Sequence, residues 1–310
     1  MQFAELTRNP MQTTRAVVLI ALSVGAVLTP SFLSAPSLTA LLTTASVIGC
    51  LAAGMTFITI SGNIMSFALG ATAASSALVF VAILNAAGLV PALIGALLFG
   101  ALITGLQGLI VGSIRANPII VSIAVNVLIY GIAAWVTKNE MIYTRANAGH
   151  EVLKGTIAGV PIEFLIFIAL IALGQIVLSF TVFGRNLILI GSGFQTAEAL
   201  GLPIVRTVFW AYFWAGLFTA ISGVLLAVRY DHANMEFALH YDYDAIAAVL
   251  VGGTAIQGGD GSMIRTLIGI AAISIIQVVL LLYGFEMEWR FFISGFIVLL
   301  VVILYSRSPG

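Results

Sequence analysis

The residues most suggestive of chemistry lie between Tyr241 and Leu267, where the chain reads YDYDAIAAVLVGGTAIQGGDGSMIRTL. Gly253 and Gly258 have the separation of the two glycines that frame a phosphate-binding loop. In such a loop a Lys follows and reaches the outer phosphates, and then a Ser or Thr holds magnesium. Gly259 and Asp260 stand there instead, so nucleotide binding is not expected of this chain. The five glycines Gly252, Gly253, Gly258, Gly259 and Gly261 permit backbone angles closed to other residues and close helix approach. They suit an apolar run that breaks and turns inside protein.

Polar side chains inside the apolar runs are Gln107, Ser122, Asn126, Gln175 and Gln277. Amides and hydroxyls can exchange hydrogen bonds with a neutral polyol in transit, and Asn126 and Gln277 are the path candidates. Each amide can equally serve as interhelical glue in lipid. The middle of each confident span carries no ionised side chain, whereas an ion-coupled transporter would place carboxylates there. His150, His232 and His240 match no common metal spacing and read as solvated loop residues. Cys50 is the one cysteine, which excludes an internal disulfide or a multi-cysteine metal site. The aromatic run Phe209, Trp210, Tyr212, Phe213 and Trp214 reads as an interfacial belt. No catalytic residue, metal site or cofactor is expected.

Composition indicates which helices hold these side chains in place. With 61% apolar and 8% charged residues over 310 positions, the chain cannot cover itself with polar surface, so lipid is its solvent. The 12 basic and 12 acidic residues balance, and no global field argues for nucleic acid. A hydrocarbon core about 30 Å thick needs roughly 20 apolar residues per helix. Spans are expected over Ala16 to Leu33, Leu38 to Ile60, Ile64 to Leu84, Leu89 to Ile114, Ile119 to Val136, Phe164 to Val182, Val208 to Val228, Leu267 to Tyr283 and Trp289 to Tyr305. The first is read as a retained helix, being longer than a signal-peptide core and lacking a clear cleavage site. A tenth run, Ala245 to Ile256, is about half the required length and reads as a short or broken helix.

An all-α polytopic membrane protein of about ten crossings, built as a single domain over 1–310, is therefore expected. With both termini cytoplasmic, seven of the 12 basic residues fall inside (Arg8, Arg15, Arg115, Arg185, Arg206, Arg265 and Arg307), in keeping with the positive-inside rule. Residues 137–160 then lie outside and 183–206 inside. The run from Leu89 carries Gly95, Gly100, Gly105, Gly108 and Gly112, and the run from Leu38 has Ala45, Gly49 and Ala53 at four-residue spacing; small residues at such intervals suit close helix packing.

The inner segment reads FGRNLILIGSGFQTAEALGLPIVRT from Phe183 to Thr207. Ser192 and Gln195 have capping-box spacing, Gly201 suits a left-handed C-terminal cap and Pro203 prevents continuation, so a short helix of about Gly193 to Leu200 is expected. With Gln195, Thr196, Ala197 and Glu198 it has little apolar area to hold it in lipid, and it suits a cleft on another protein. This segment resembles the coupling loop of the bacterial permease family that imports ribose-type sugars and, in a more distant branch, branched-chain amino acids. The resemblance is carried by Gly184, Arg185, Gly191, Ala197, Leu200 and Gly201. It is carried further by the acidic, AIAAV, GGT, GG, GS and TL positions of Tyr241 to Leu267. At one position the sugar branch usually has an Asp where, anchored on Gly70, this chain has Ser66, which makes Ser66 a further path candidate.

The resemblance implies a permease subunit of an ATP-binding-cassette importer in the bacterial inner membrane. A small sugar-like solute would cross by alternating access. Expected partners are cytoplasmic ATP-binding subunits docking on the short helix, a second permease subunit and a periplasmic solute-binding protein. Branched-chain amino acids or nucleosides are the alternative solutes. An ion-coupled secondary transporter or channel is the alternative of another class, and a structural scaffold a third.

Overall fold

The computed structural model describes residues 29–63, 65–145 and 149–286, with scattered positions between 288 and 299. The expected spans Ala16 to Leu33 and Trp289 to Tyr305 fall almost wholly outside the described residues. Helices run in the order α1 (Ala35–Ile60), α2 (Leu69–Ala87), α3 (Leu89–Ile114), α4 (Pro118–Thr137), α5 (Ile162–Phe180), α6 (Val182–Ser192), α7 (Phe194–Ala199), α8 (Ile204–Tyr230), α9 (Tyr241–Gly252) and α10 (Met263–Leu282). Seven of these, α1 to α5, α8 and α10, are long and apolar enough to cross a membrane.

Their starts are locally encoded. Ser34 and Asn117 accept from the amides of Ser37 and Ile119 just ahead of prolines, whose fixed φ and missing N–H suit a first turn. Thr181 and Ser262 cap α6 and α10 in the same way.

Helix α8 is the axis of the bundle, buried along most of its length. It approaches its neighbours backbone to backbone. A Cβ on Gly54 of α1 would lie 2.7 Å from the Ala215 carbonyl oxygen, and one on Gly100 of α3 would lie 2.9 Å from that of Gly216. Gly108 and Gly112 continue the α3 seam against Tyr212, Val205 and Val208. The small-residue spacing therefore serves packing, which in lipid relies on close van der Waals contact. Helix α4 is peripheral, burying only Ser122, Ile129 and Ala133.

The run starting at Ile64 departs from expectation: its helix begins only at Leu69, and residues 61–68 are non-helical apart from Ile64, which is not described. Met65, Ser66 and Ala68 are buried there. Hydropathy does not distinguish a lipid-facing helix from irregular backbone enclosed by protein, the one setting that tolerates such backbone at membrane depth.

The 137–160 segment carries short structure. Strand β1 (Ile142–Tyr143) pairs antiparallel with β4 (His232–Ala233), which follows α8. A 3₁₀ turn spans His150–Lys154, and β2 (Thr156–Ile157) turns into β3 (Val160–Pro161). Ala158 and Gly159 both have positive φ, as a two-residue type I′ hairpin requires.

Candidate functional site

One end of the bundle gathers the C-terminus of α1, the α6–α7 corner, the start of α8 and the loop between α9 and α10. Helix α6 extends the ordered structure upstream of the short helix by burying Gly184, Leu187 and Ile190 while Arg185 stays exposed. The capping box does not form: the Ser192 hydroxyl donates back to the Ile188 carbonyl within α6 (2.8 Å), and Gly193 begins α7. The other end follows expectation. Gly201 has φ +69, and the amides of Gly201 and Leu202 donate to the carbonyls of Glu198 and Ala197 (3.0 and 3.1 Å), which is the Schellman pattern.

The two faces of α7 differ. Ala197 is 1% exposed and points into the protein, so it anchors the helix and is not available to a docking partner. Gln195, Thr196, Glu198 and Leu200 are exposed. Glu198 pairs with Arg115 at the end of α3, and the Arg115 guanidinium lies over the Phe194 ring, 4.7 Å from its centre.

Immediately before α7 the backbone is locked. The Gly259 amide donates to the Ile60 carbonyl at 2.9 Å, and Gly191 lies against both of those atoms, so that a Cβ there would clash with them. A Cβ on Gly62 would lie 3.1 Å from Gly191 Cα, and one on Gly258 would clash with Gly62. Gly258 and Gly259 have φ of +88 and +76, angles that side chains other than glycine resist. Asp260 is held by Arg265, with one contact at 2.9 Å. Gly252 and Gly261 pack tightly too, against the Arg265 carbonyl and the Ile60 side chain. The glycine-rich loop is thus a backbone junction joining α1, α6, α9 and α10.

Helix α9 ends at this junction, and its first turn, at the far end of the helix, carries a second constellation that was not among the expected site residues. Asp242 and Asp244 are 7% and 3% exposed. An Asp242 carboxylate oxygen accepts from the Gly70 amide at 2.7 Å, with the Leu69 amide as a second donor. It therefore caps α2, where helix N-termini favour negative charge. The available signal was the pair of aspartates directly preceding an apolar run.

Ser66 and Asn126 meet at the same break, and Gln277 joins Asp244 on α9. The Gln107 amide donates to the Ser66 hydroxyl (3.2 Å), and the Asn126 amide to the Phe67 carbonyl (2.5 Å). The Tyr130 hydroxyl, one turn along α4, donates to the Met235 carbonyl (3.1 Å). Gln277 donates to Asp244 (3.1 Å). Polar side chains from α3 and α4 thus satisfy groups in irregular segments that lipid could not. Gln175 accepts from the Met263 amide (3.0 Å) and so caps α10.

At the opposite end, Asp231 ties the 137–160 segment to α8. Its carboxylate accepts from Lys154 (2.5 Å) and bonds His150 Nε2 (2.7 Å), while its carbonyl accepts from the Thr144 amide (2.9 Å). The Lys154 and His150 hydrogen bonds hold the Asp231 carboxyl below its ordinary range. His150 is buried, contrary to the solvated reading. The aromatic run also divides: Tyr212 is fully buried beside Gly108, and Trp214 stacks on Phe57 with ring centres 6.3 Å apart. Only part of it can face a membrane interface.

Known proteins resemble this chain along most of its length. The ribose import permease protein of Bacillus subtilis is 30% identical over 92% of this chain and 89% of its own length. The fructose import permease protein of Bifidobacterium longum is 25% identical over 97% of this chain and 92% of its own length. The galactose/methyl galactoside import permease protein of Escherichia coli is 28% identical over 67% of this chain and 64% of its own length. These relatives are transport permeases and not enzymes, ATP hydrolysis being the work of separate subunits. A model of the branched-chain amino acid transport system / permease component family matches residues 37–302, and to that family this chain belongs.

Proposed function

We propose that this chain is the membrane-spanning subunit of an ATP-binding-cassette importer that moves a small sugar or sugar-like solute into the cytoplasm by alternating access. Similarity to ribose, fructose and galactose import permeases along most of the chain supports the solute class. In this reading the whole of 1–310 is one permease unit of about ten crossings in the bacterial inner membrane, with both termini cytoplasmic. Residues 137–160 face the periplasm and a solute-binding protein. Residues 183–206 face the cytoplasm and receive the ATP-binding subunits, and a second permease subunit completes the path.

The two-sidedness of α7 carries the reading. One face is bound into the protein through Ala197, and the other presents Gln195, Thr196, Glu198 and Leu200 outward. Displacement of α7 by a closing ATPase pair passes through the Gly191 corner into the glycine junction and along α9. There Asp242 and Asp244 meet the broken segment carrying Ser66 and the side chain of Gln277. Protein backbones packed in contact transmit displacement because interiors are nearly incompressible.

The test uses only outward residues. Thr196→Arg with Leu200→Asp should abolish uptake and solute-stimulated ATP hydrolysis while the amount of subunit in the membrane stays unchanged. Undiminished uptake by that double variant would eliminate α7 as the docking element. An amino acid solute is the second reading, favoured by the neutral Ser66 at the expected acidic position. Competition of labelled ribose uptake by unlabelled sugars against leucine separates the two.

A further inference from the structure

Where α5 ends and α6 and α8 begin, the fold forms a cavity of about 480 Å³ that is open on one side. Its apolar lining is Val177, Val182, Phe183, Pro203, Trp210 and Trp214. The Phe183 and Trp214 rings belong to a packed aromatic group with Phe57 and Phe218, so that part of the lining is apolar and held in place. Thr181 and Thr207 also line the cavity, but their hydroxyls are spent on the Val177 and Pro203 carbonyls of their own helices (2.6 and 2.9 Å).

Two polar groups remain available. The Arg206 guanidinium is exposed, and neither it nor the Asn186 amide makes a hydrogen bond or ion pair among the described residues. A sugar would need several hydrogen-bonding partners along its length, which these walls lack. The combination of one free cation, one free amide and an apolar trough matches an amphiphile with an anionic head and a hydrocarbon tail.

Position supplies the second argument. Thr181 is the C-cap of one membrane-length helix and Pro203 the N-cap of another, so the cavity straddles the boundary between hydrocarbon and headgroups. Tryptophan and arginine are the side chains that anchor at that depth. We infer that this cavity binds an anionic phospholipid of the adjacent leaflet, its phosphate on Arg206 and Asn186 and an acyl chain against Val177, Trp210 and Trp214. Because Phe183 and Asn186 belong to α6, the bound lipid forms part of the seat of the helix that leads into α7. The leaflet is the cytoplasmic one if the orientation proposed above holds; the binding itself does not depend on transport.

The test measures lipid carried by the full-length chain, alone and without transport partners. The purified chain is exchanged into nanodiscs of equal parts phosphatidylglycerol and phosphatidylethanolamine, extracted in mild detergent, and its retained lipid is counted by native mass spectrometry. Wild type should retain phosphatidylglycerol preferentially. Arg206→Gln should lower that preference about five-fold, the ratio corresponding to about 1 kcal/mol per basic residue at an anionic surface, and Arg206→Lys should keep most of it. Val177→Trp, which fills the trough, should lose both lipids there, with size-exclusion elution reporting that the variant is folded.

Millimolar inorganic phosphate should leave the bound lipid in place, whereas added dioleoyl phosphatidylglycerol should exchange with it. Equal retention by wild type and Arg206→Gln would overturn the inference. So would displacement by inorganic phosphate alone, or complete expulsion of the lipid when ATP-binding subunits are added. None of these results bears on whether the chain imports a solute, so the two proposals fail separately.

Discussion

Replacing Gly191 by alanine adds one methyl group at the tightest place in the glycine junction. That methyl would occupy the space between the Ile60 carbonyl and the Gly259 amide, which are hydrogen-bonded at 2.9 Å. Both are backbone atoms, so no side-chain rotation relieves the clash and the segments must separate. Losing the buried hydrogen bond costs about 1–3 kcal/mol and forcing the packed segments apart another 1–3, together about 2–6 kcal/mol. Gly131, in the middle of α4, is the control, because a Cβ there meets nothing within 4 Å. Alanine at that helical position should be neutral or stabilising by up to about 1 kcal/mol. Thermal unfolding of each purified variant in the same detergent should place Gly191→Ala well below wild type and Gly131→Ala at or above it. Solute uptake and its coupling to ATP hydrolysis should fall only for Gly191→Ala. If Gly191→Ala melts and transports like wild type, the backbone junction does not have the role argued for it.

Two further outcomes follow from single contacts. Asp242→Ala should leave the Gly70 amide buried without its carboxylate, at a cost of about 1–3 kcal/mol, and reduce uptake; Asp242→Asn, which keeps an acceptor oxygen, should lose less in the same assay. At the end of the bundle opposite α7, the folded Asp231 carboxyl titrates below its ordinary range because Lys154 and His150 hydrogen-bond to it. Its stabilising contribution is therefore fully present above the unfolded value of about 3.9 and is lost as pH falls through the lower folded value. Protease cleavage within 137–160 should stay slow in neutral buffer and accelerate only in strong acid. Asp231→Asn should be cut faster at neutral pH, and identical cleavage of the two proteins there would remove Asp231 as the latch.

Composition and local spacing are enough to establish the solvent, the main spans and their local punctuation. Long apolar runs and scarce charge demand lipid, and caps such as Ser34, Asn117 and Gly201 act through atoms only a few residues away. The end of α7 was legible for that reason. Its beginning was not, because Ser192 had two acceptable local partners and the packing of α6 selected the Ile188 carbonyl. It took the packing of the whole bundle to show which face of α7 is free, that Ala197 is an anchor, and that the apolar stretch ahead of Leu69 is broken. The carboxylate of Asp242 meets the amide of Gly70 across 172 residues of sequence, and Gly191 meets Ile60 and Gly259 through backbone alone. Such contacts leave no periodicity or composition to read. They arise when lipid-compatible helices, nearly uniform in hydropathy, settle by shape, and shape is a property of all the helices together.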